Sequence, residues 1–534
     1  MATVDAIQVK NLRSLVDTGW IEQKPITILV GKNSAGKSTL ARVFPLLKQS
    51  VGERKQSPIL WFGQYVDFGQ YSVAVHNKTP TASVSFGFRL TLSSKEIERR
   101  NPSFLHRALR TNDKDSTFPI EAEISLIKGS ESSAADTVAE KLTLSVLGFI
   151  VNIKFSSQTI KSLSIDDHQV WQASPGYFCH VTFDSALPKF SFYKERIAGP
   201  DEQDEVVGKM YLEEYDPFSE MLLNEIRRHV HGNLGEDKVR QIASRLTLAE
   251  GPFFLAQALT AGADQKMWVD HIKSLETSIK PLRALQRGVL CARLPEILRL
   301  IDSTISAHFT AVRYIEPLRA TAQRYYRKQD LAIGELDAKG ANVAQFLQSL
   351  PSWRRNEFDA VTRRLFGFAV KPRPQGGHIE LVLEQTKGGT VVNLADAGVG
   401  FSQILPILLQ FWSSDASRSD HKTRISAGIS TTLVVEQPEL HLHPAYQATL
   451  ADLFCETAAP RPANRTRVIA ETHSPALVNR LGSLVADGKF KADDIQILLF
   501  EQDEKDGQTK IRTASFDNEG VLSNWPYGFF EPDV

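Results

Sequence analysis

The stretch ITILVGKNSAGKSTLARVF, residues 26–44, decides the fold of this chain. Its β-branched start, residues 26–30, predicts a buried strand, and the apolar spacing after residue 38 predicts a helix. Between them, residues 31–38 satisfy the pattern G-x-x-x-x-G-K-[ST]. Glycines in such a loop let backbone N–H groups converge on phosphate oxygens, and the start of the following helix adds positive potential. The stretch therefore predicts a nucleotide-binding loop at one edge of an α/β sheet.

The side chains of this loop predict ATP and Mg²⁺ as cofactors. We expect Lys37 to reach the β- and γ-phosphates and Ser38 to ligate Mg²⁺. An accidental match to the pattern is the alternative, and the flanking strand and helix argue against it. The other residues expected to contact the nucleotide are Gly31, Asn33, Ser34, Ala35, Gly36 and Thr39.

Two later strands also end in polar residues. Glu436 closes the strand TTLVVE, and His473 follows the strand RVIAE by two residues. In open α/β sheets, ligands bind beyond the carboxyl ends of the strands. Glu436 is therefore the predicted metal-holding acid, and His473 is a predicted contact to the γ-phosphate. Taken alone, a histidine at a strand end is more often structural.

The rest of the chain predicts an α/β fold interrupted by two other regions. Alternating and β-branched runs from about residue 82 to 184 predict an antiparallel β region, and helical spacing follows from about 217 to 309. Strands return after residue 366, and we expect them to join the first strand in one sheet. We divide the chain into an N-terminal half of the ATPase domain at 1–200, a helical insertion at 201–310 and a C-terminal half at 311–534.

Composition excludes several classes of protein. The 534 residues carry 62 basic and 62 acidic side chains, so no net charge draws the molecule to nucleic acid or to an acidic membrane. Three scattered cysteines cannot form a disulfide framework. No apolar run approaches the roughly 20 residues that a membrane span needs. We expect a cytoplasmic protein without membrane contact.

The order of the motifs carries a family resemblance. The segment DAGVGFSQ, residues 396–403, opens an apolar helix after the phosphate loop and before the acidic strand and the strand-end histidine. This order resembles the ATP-binding-cassette ATPases, specifically their RecF/SMC/OLD-like branch. The resemblance implies that Gly398, Gly400 and Ser402 bind the γ-phosphate of a partner subunit, although GVGFSQ departs from the usual LSGGQ. Without the family, the segment is equally well explained as a turn and helix cap.

Further segments resemble the ATPases of bacterial anti-phage defence, especially the Septu (PtuA-type) group. The resemblance implies a homodimer or a higher even oligomer, an HNH-type nuclease as partner, and in retron relatives a reverse transcriptase and noncoding DNA. It also places Arg13 near the phosphates and a glutamine in contact with Mg²⁺ or water, for which Gln64 and Gln70 are both candidates and we prefer Gln70. Residues from about 80 to 310 carry no matching motif. The matching segments include NLRSL, YVDFGQYSVAVH, YIEPLRATAQRYYR, VVEQPELHLHPAYQ, ETHSPALVNRL and WPYGFF.

One position departs from a hydrolysing ATPase of this family. The family ends the acidic strand with Asp-Glu, whereas this chain has Glu436-Gln437. An amide accepts no proton at neutral pH, so general-base assistance of about 10²–10⁴-fold should be missing. We expect slow ATP hydrolysis, or substitution of the missing base by Glu439. Slow turnover favours a long-lived ATP-bound dimer.

Three other patterns have competing explanations. Glu439, His441 and His443 alternate like metal ligands, but the segment matches a dimer-contacting loop in relatives, which is the explanation we prefer. The triplet Asp503-Glu504-Lys505 resembles a nuclease motif, but its charged surroundings favour a solvated turn, and we predict no nuclease centre. Basic and aromatic residues alternate in 313–328 and 353–364, which suits nucleic-acid contact or a solvated face over a core.

Three functions therefore compete. The preferred one is a defence ATPase that dimerises around ATP and restrains a nuclease. A RecF-like DNA-repair ATPase is the second, and a scaffold that binds ATP without hydrolysing it is the third. A transporter subunit fits poorly, because the inserted regions leave no compact cassette.

Overall fold

The structure is a computed structural model. Part of the terminal motif WPYGFF, from residue 526, and residues 504–506 of the charged turn lie outside the residues it describes. Within the described ranges, no helix combines the length and apolar character that a membrane crossing requires. These ranges are 3–53, 55–76, 82–93, 117–130, 135–156, 158–197, 210–249, 255–260, 263, 265–329, 333–386, 389, 391–414, 430–459, 466–503 and 507–525.

The described strands form sheets of nine, seven, four and three strands. Their bounds are β1 Thr3–Leu12, β2 Leu15–Asp17, β3 Ile21–Glu22, β4 Ile26–Gly31, β5 Val84–Ser93, β6 Thr117–Lys128, β7 Thr137–Val146, β8 Phe149–Ser156, β9 Thr159–Ile165, β10 His168–Gln172, β11 Tyr177–Thr182, β12 Lys189–Ile197, β13 Met210–Glu214, β14 Val312–Ile315, β15 Tyr326–Arg327, β16 Phe368–Gln375, β17 His378–Gln385, β18 Val391–Asn393, β19 Thr431–Glu436, β20 Thr466–Glu471, β21 Ile495–Gln502, β22 Thr509–Phe516 and β23 Leu522–Ser523.

The described helices flank these sheets or form the segment between residues 217 and 310. Their bounds are α1 Lys37–Val51, α2 Tyr71–Ala74, α3 Pro217–Arg227, α4 Glu236–Arg245, α5 Leu255–Thr260, α6 Lys266–Ser274, α7 Ile279–Thr310, α8 Val343–Ser349, α9 Ser352–Phe366, α10 Val399–Ser414, α11 Pro444–Ala458 and α12 Pro475–Ala486.

The seven-stranded sheet joins the two ends of the chain. Its order is β14-β19-β20-β4-β21-β22-β23, and β4 pairs in parallel with both β20 and β21. The last two strands, β22 and β23, run antiparallel at one edge. The prediction that the first strand and the late strands form one sheet is confirmed.

The parallel strands β4, β19, β20 and β21 of this sheet are buried on both faces, which explains why they carry continuous apolar runs. In β4, Ile26, Ile28 and Val30 face one core, whereas Leu29 faces the other. The same alternation recurs in β19, β20 and β21, because successive side chains of a strand point to opposite faces. The first core contains α1 and the antiparallel β region, and the second contains α10, α11 and α12.

The predicted antiparallel region is a nine-stranded sheet with the order β10-β9-β8-β7-β6-β5-β1-β2, in which β3 also pairs with β1. A separate sheet, β11-β12-β13, extends it to residue 214. The helices α3 to α7 then fill most of the segment assigned to the helical insertion, and the 32-residue helix α7 packs against α1 and α3. The predicted α/β class with an antiparallel region and inserted helices is confirmed, while the three-part domain division stays a prediction.

One buried histidine links this core to pH. His308, near the end of α7, is 5% exposed and packs edge-on against Phe309 at 4.9 Å between ring centroids. Burial, reinforced by Arg467, lowers the pKa of His308 from 6.5 to about 3. The imidazole is therefore neutral in the folded state at any pH where the protein works.

We expect His308 to destabilise the fold as the pH falls below 6.5, because the unfolded chain then binds a proton that the folded chain excludes. The contribution of neutral His308 to the free energy of unfolding is fully present above pH 6.5 and is lost progressively as the pH falls toward 3. The loss at pH 5 is about 2 kcal/mol relative to neutral pH. Urea unfolding at pH 7 and pH 5 measures this change in the free energy of unfolding. His308→Leu should remove the contribution of about 2 kcal/mol, whereas His231→Leu, at an exposed position, is the control and should keep it. The same change in all three proteins would contradict the assignment to His308.

Candidate functional site

Glycines fix the path of the phosphate loop where β4 ends. At Gly31, with φ +155°, a Cβ atom would lie 2.4 Å from the carbonyl oxygen of Phe500 on β21. At Gly36, with φ +96°, it would lie 2.7 Å from Ser14 Oγ. The loop thus passes too close to its neighbours for any side chain at these positions. Thr509 Oγ1 also donates to the carbonyl of Ala35 at 3.0 Å and ties the loop to β22.

Lys37 lies inside this loop. Its Nζ donates to the carbonyl oxygens of Gly31 at 2.9 Å and Lys32 at 2.8 Å, and the residue is only 3% exposed. Burial lowers the pKa of Lys37, while the carboxylates of Glu471 and Glu439 act in the opposite direction. The ammonium group is therefore held over the concave side of the loop, with Asn33 and Ser34 exposed beside it and Thr39 buried beneath.

Glu436 stands at the predicted strand end, but its carboxylate is fully engaged. Arg42, one helical turn after Ser38, donates from Nε to Oε1 and from Nη2 to Oε2, both at 2.8 Å. Tyr314 donates its hydroxyl to Oε1 at 2.6 Å, and Glu436 is 1% exposed. These contacts raise the pKa of Arg42 above its ordinary value, mainly through the hydrogen bond to Glu436. Glu436, which the sequence predicts to bind the metal ion, is therefore paired with Arg42 in this structure.

A second carboxylate, which our sequence analysis missed, lies beside the loop. Glu471 ends β20, pairs in register with Glu436 on β19 and with Leu29 on β4, and is 3% exposed. Its Oε1 accepts from Ser38 Oγ at 2.9 Å. Burial, and then repulsion from Glu436, raise the pKa of Glu471 to about 7. The signal was present in the sequence, because RVIAE ends in an acid just as TTLVVE does.

Glu439 anchors the strand-end histidine. Its Oε2 accepts from Thr472 Oγ1 at 2.9 Å, and its Oε1 accepts from the backbone N–H of His473 at 2.7 Å. Burial raises the pKa of Glu439, and the hydrogen bond from the His473 backbone opposes this shift. Burial, and then the Lys37 charge, lower the pKa of His473. The role of Glu439 as a substitute base stays a prediction.

Gln437 and Arg319 join the two acidic strand ends. Gln437 adopts φ +42°, its backbone N–H donates to the carbonyl of Glu471 at 2.8 Å, and its side chain is partly exposed. Arg319 Nη2 donates to the carbonyl oxygens of Glu436 at 2.8 Å and Gln437 at 3.3 Å. Burial lowers the pKa of Arg319 to about 10. These bonds fix the turn that follows the acidic strand.

The Gly/Ser segment begins α10, as its sequence predicts. Gly398 adopts φ +85° and is exposed, and a Cβ at Gly400 would lie 2.8 Å from the carbonyl oxygen of His441. Ser402 is 7% exposed and donates to the carbonyl of Val399 at 2.7 Å. The segment therefore packs on the loop after the acidic strand and presents its first residues at the surface. Its role toward a partner's nucleotide stays a prediction.

Arg13 packs on the segment that carries Gln70. Its guanidinium lies 4.3 Å from the Phe68 ring centroid, and its backbone N–H donates to the carbonyl of Ala74 at 2.7 Å. Burial and then the Arg42 charge lower the pKa of Arg13. Gln70 is exposed at the start of α2, and Gln64 is also exposed. The magnesium role of Gln70 stays a prediction.

The residues with competing explanations have structural partners. His443 caps α11 by accepting from the N–H of Ala445, His441 is exposed, and the described residues contain no group of three or more potential metal ligands. In the basic-aromatic segments, much of the charge is paired within the chain. These pairs include Arg313 with Glu335, Arg324 with Asp396, Arg363 with Glu384 and Arg364 with Glu456.

Comparisons with known families support an ATPase. Residues 284–479 match the family described as "AAA domain, putative AbiEii toxin, Type IV TA system". Residues 490–532 match a family described as a protein of unknown function (DUF3696). The first match, less than half of the chain, includes the Gly/Ser segment, the acidic strand and His473, and so supports an ABC- or AAA-like ATPase domain. No curated protein matches the chain.

Solved structures of SMC heads show a weak overall similarity. An Smc head domain bound to the C-terminal domain of ScpA, from Pyrococcus furiosus, is 10% identical, covers 96% of this chain and 97% of its own, and has a TM-score of 0.33. An SMC head domain from Thermotoga maritima is 10% identical to this chain, with a TM-score of 0.32. The match covers 96% of this chain and 98% of the Thermotoga chain. At these scores the similarity assigns neither a function nor a partner.

We expect the Arg42–Glu436 pair to be strongly coupled. Arg42→Met leaves the buried Glu436 carboxylate without its cation and should destabilise the protein by about 3–5 kcal/mol. Glu436→Gln in that background should restore part of the loss. A double-mutant cycle on urea unfolding should therefore give a coupling energy above about 1 kcal/mol.

The pair Arg480–Asp452 is the matched control, because its geometry is also bidentate but its carboxylate is 25% exposed, against 1% for Glu436. Its coupling should stay within about 0.2–1 kcal/mol. Equal coupling for the two pairs would show that Glu436 is not held as described.

Proposed function

We propose that this chain is an ATP-binding ATPase of the ABC type. The observation that carries the proposal is the convergence of Lys37, Ser38, Glu471 and His473 where β4 and β20 end. Two buried side-chain atoms there, Glu471 Oε2 and His473 Nε2, have no hydrogen-bond partner within the described residues. A buried polar atom without a partner costs about 1–3 kcal/mol, so these atoms suit a ligand that would satisfy them. A nucleoside triphosphate with Mg²⁺ would supply a cation for Glu471 Oε2 and acceptor oxygens for a proton on His473 Nε2.

In this proposal, the chain's own residues divide the work of holding ATP. Lys37 turns from its carbonyl partners to the β- and γ-phosphates, and the backbone of residues 31–36 surrounds the phosphate oxygens. His473, neutral because burial and Lys37 lower its pKa, donates a hydrogen bond to the γ-phosphate. The start of α1 contributes its dipole. Mg²⁺, when bound with the nucleotide, neutralises phosphate charge beside Ser38.

We further propose that two copies close around the nucleotide. The exposed start of α10, with Gly398 and Val399 at the surface, can present backbone N–H groups to the γ-phosphate held by a second copy. Hydrolysis in this dimer should be slow, because Gln437 occupies the position where a general base is expected. The nucleotide would then serve chiefly to keep the two copies together.

The biological role we propose is regulation of a partner nuclease of the HNH type in anti-phage defence. The nuclease partner rests on the resemblance of the motifs to Septu-type ATPases alone. The match to a family described as a putative AbiEii toxin supports only the defence role. As further partners within the same proposal, we include the reverse transcriptase and noncoding DNA of a retron, and direct contact of this chain with nucleic acid.

Lys37→Ala should weaken ATP binding about 10- to 100-fold, because a charge-assisted contact to the phosphates is lost. Titration of a fluorescent ATP analogue with the purified chain measures this. Lys32→Ala is the matched control, since its exposed side chain lies on the same loop, and it should change affinity by less than about threefold. Equal affinity of wild type and Lys37→Ala would reject the site.

Closure around ATP predicts a different effect on the opposite segment. Val399→Arg should leave ATP binding to the single chain intact, because this side chain is 52% exposed at the start of α10, but should prevent the doubling of molecular mass that ATP causes in the wild type. Mass photometry with and without ATP measures this. A wild-type mass that ATP leaves unchanged would contradict closure while leaving nucleotide binding in place.

A further inference from the structure

Three buried carboxylates surround the end of the phosphate loop, and their partners differ. Glu436, Glu439 and Glu471 are 1%, 9% and 3% exposed, respectively. Burying a charged carboxylate is costly unless cations or hydrogen-bond donors surround it. The donors that each one has already acquired therefore show which of them is available to a further cation.

Two of the three are already satisfied. Both oxygens of Glu436 accept from Arg42, and one also accepts from Tyr314. Both oxygens of Glu439 accept hydrogen bonds, one from the Thr472 hydroxyl and the other from the His473 backbone. A metal ion at Glu436 would have to displace a bidentate guanidinium that already neutralises it. A metal ion at Glu439 would detach the support of the strand-end histidine.

Glu471 alone among them has an oxygen left over. Its Oε1 accepts from Ser38 Oγ at 2.9 Å, whereas Oε2 is buried and has no hydrogen-bond partner in the described part of the chain. β20 is also the strand directly beside β4, while β19 is one strand further away. The orphaned oxygen therefore stands next to the loop hydroxyl that is the expected Mg²⁺ ligand.

From this geometry we propose that Glu471, rather than Glu436, is the carboxylate that binds Mg²⁺ beside Ser38. Carboxylate and hydroxyl oxygens suit this ion, and it would satisfy the free oxygen of Glu471. Glu436 then acts as a positioning residue that holds Arg42 and α1 against the sheet. The proposal rests on the proposed function, since it assigns a metal ligand within the same nucleotide site.

The charge of Glu471 predicts opposite effects with and without metal. Without metal, a carboxylate beside the loop repels a triphosphate, so Glu471→Gln should bind the fluorescent ATP analogue in EDTA at least as tightly as wild type. With metal, the variant lacks a ligand, so its complex with a non-hydrolysable ATP analogue should bind Mn²⁺ more than about fivefold more weakly. A general folding defect in the variant would weaken both nucleotide binding in EDTA and Mn²⁺ binding.

Mn²⁺ titration followed by electron paramagnetic resonance gives the metal affinity directly, without reliance on turnover. Glu436→Gln should change the Mn²⁺ affinity by less than about fivefold, and Glu471→Asp should retain part of the wild-type affinity. Glu121→Gln, in the remote β6 strand, is the matched control for loss of an ion-paired carboxylate. The side chain of Glu471→Gln can still accept from Ser38, which limits structural damage in this variant.

The outcomes separate the two proposals. If the wild type binds no nucleotide under either condition, the proposed function fails, and this inference fails with it. If nucleotide binds but Glu471→Gln weakens Mn²⁺ binding by less than fivefold, the inference is overturned and the proposed function stands. It is also overturned if Glu436→Gln weakens Mn²⁺ binding as much as Glu471→Gln does. Should Glu436→Gln fail to fold, the Glu471→Gln result decides alone.

Discussion

The parallel hydrogen bonding of β4 between β20 and β21 is the constraint on which the rest of the structure depends. Parallel neighbours end at the same edge, so this pairing brings the phosphate loop to the side chains that follow the late strands. Ser38 and Glu471 are 433 residues apart in sequence and yet share a hydrogen bond of 2.9 Å. The long antiparallel region and the inserted helices lie between them in the chain without separating them in space. Both faces of the sheet are buried, which makes its register costly to change.

The three buried carboxylates of the site are stabilised in different ways. Three buried carboxylates would repel each other strongly if all were ionised and unpartnered, and the structure resolves this by giving each a distinct environment. Glu436 is paired with Arg42, and Glu439 receives hydrogen bonds from Thr472 and the His473 backbone. Among the residues that the structure describes, none donates to the second oxygen of Glu471, and burial beside Glu436 raises the pKa of this carboxyl group to about 7. Of these carboxylates, Glu471 therefore has the most to gain from an incoming cation.

The sequence predicted the fold and part of the site, for identifiable reasons. The loop at residues 31–38 and the strand ends at Glu436 and His473 have local signatures, and the sheet that joins them follows from the general behaviour of α/β proteins. Partnerships between distant side chains have no such signature: nothing in the sequence indicates that Arg42 closes over Glu436. Glu471 does have a local signature, the acid that ends RVIAE, but its proposed role depends on which strand lies next to β4. Strand order is a property of the assembled sheet, and no periodicity of a single segment encodes it.

We propose that the edge where β4 and β20 end binds a nucleotide together with a metal ion. A crystal structure with a non-hydrolysable ATP analogue and Mn²⁺ would test this, because anomalous scattering locates the ion independently of the protein density. We expect the triphosphate within residues 31–38, and the manganese peak in contact with Ser38 and Glu471. Nucleotide bound elsewhere, or a manganese peak on Glu436 with Arg42 displaced, would contradict it.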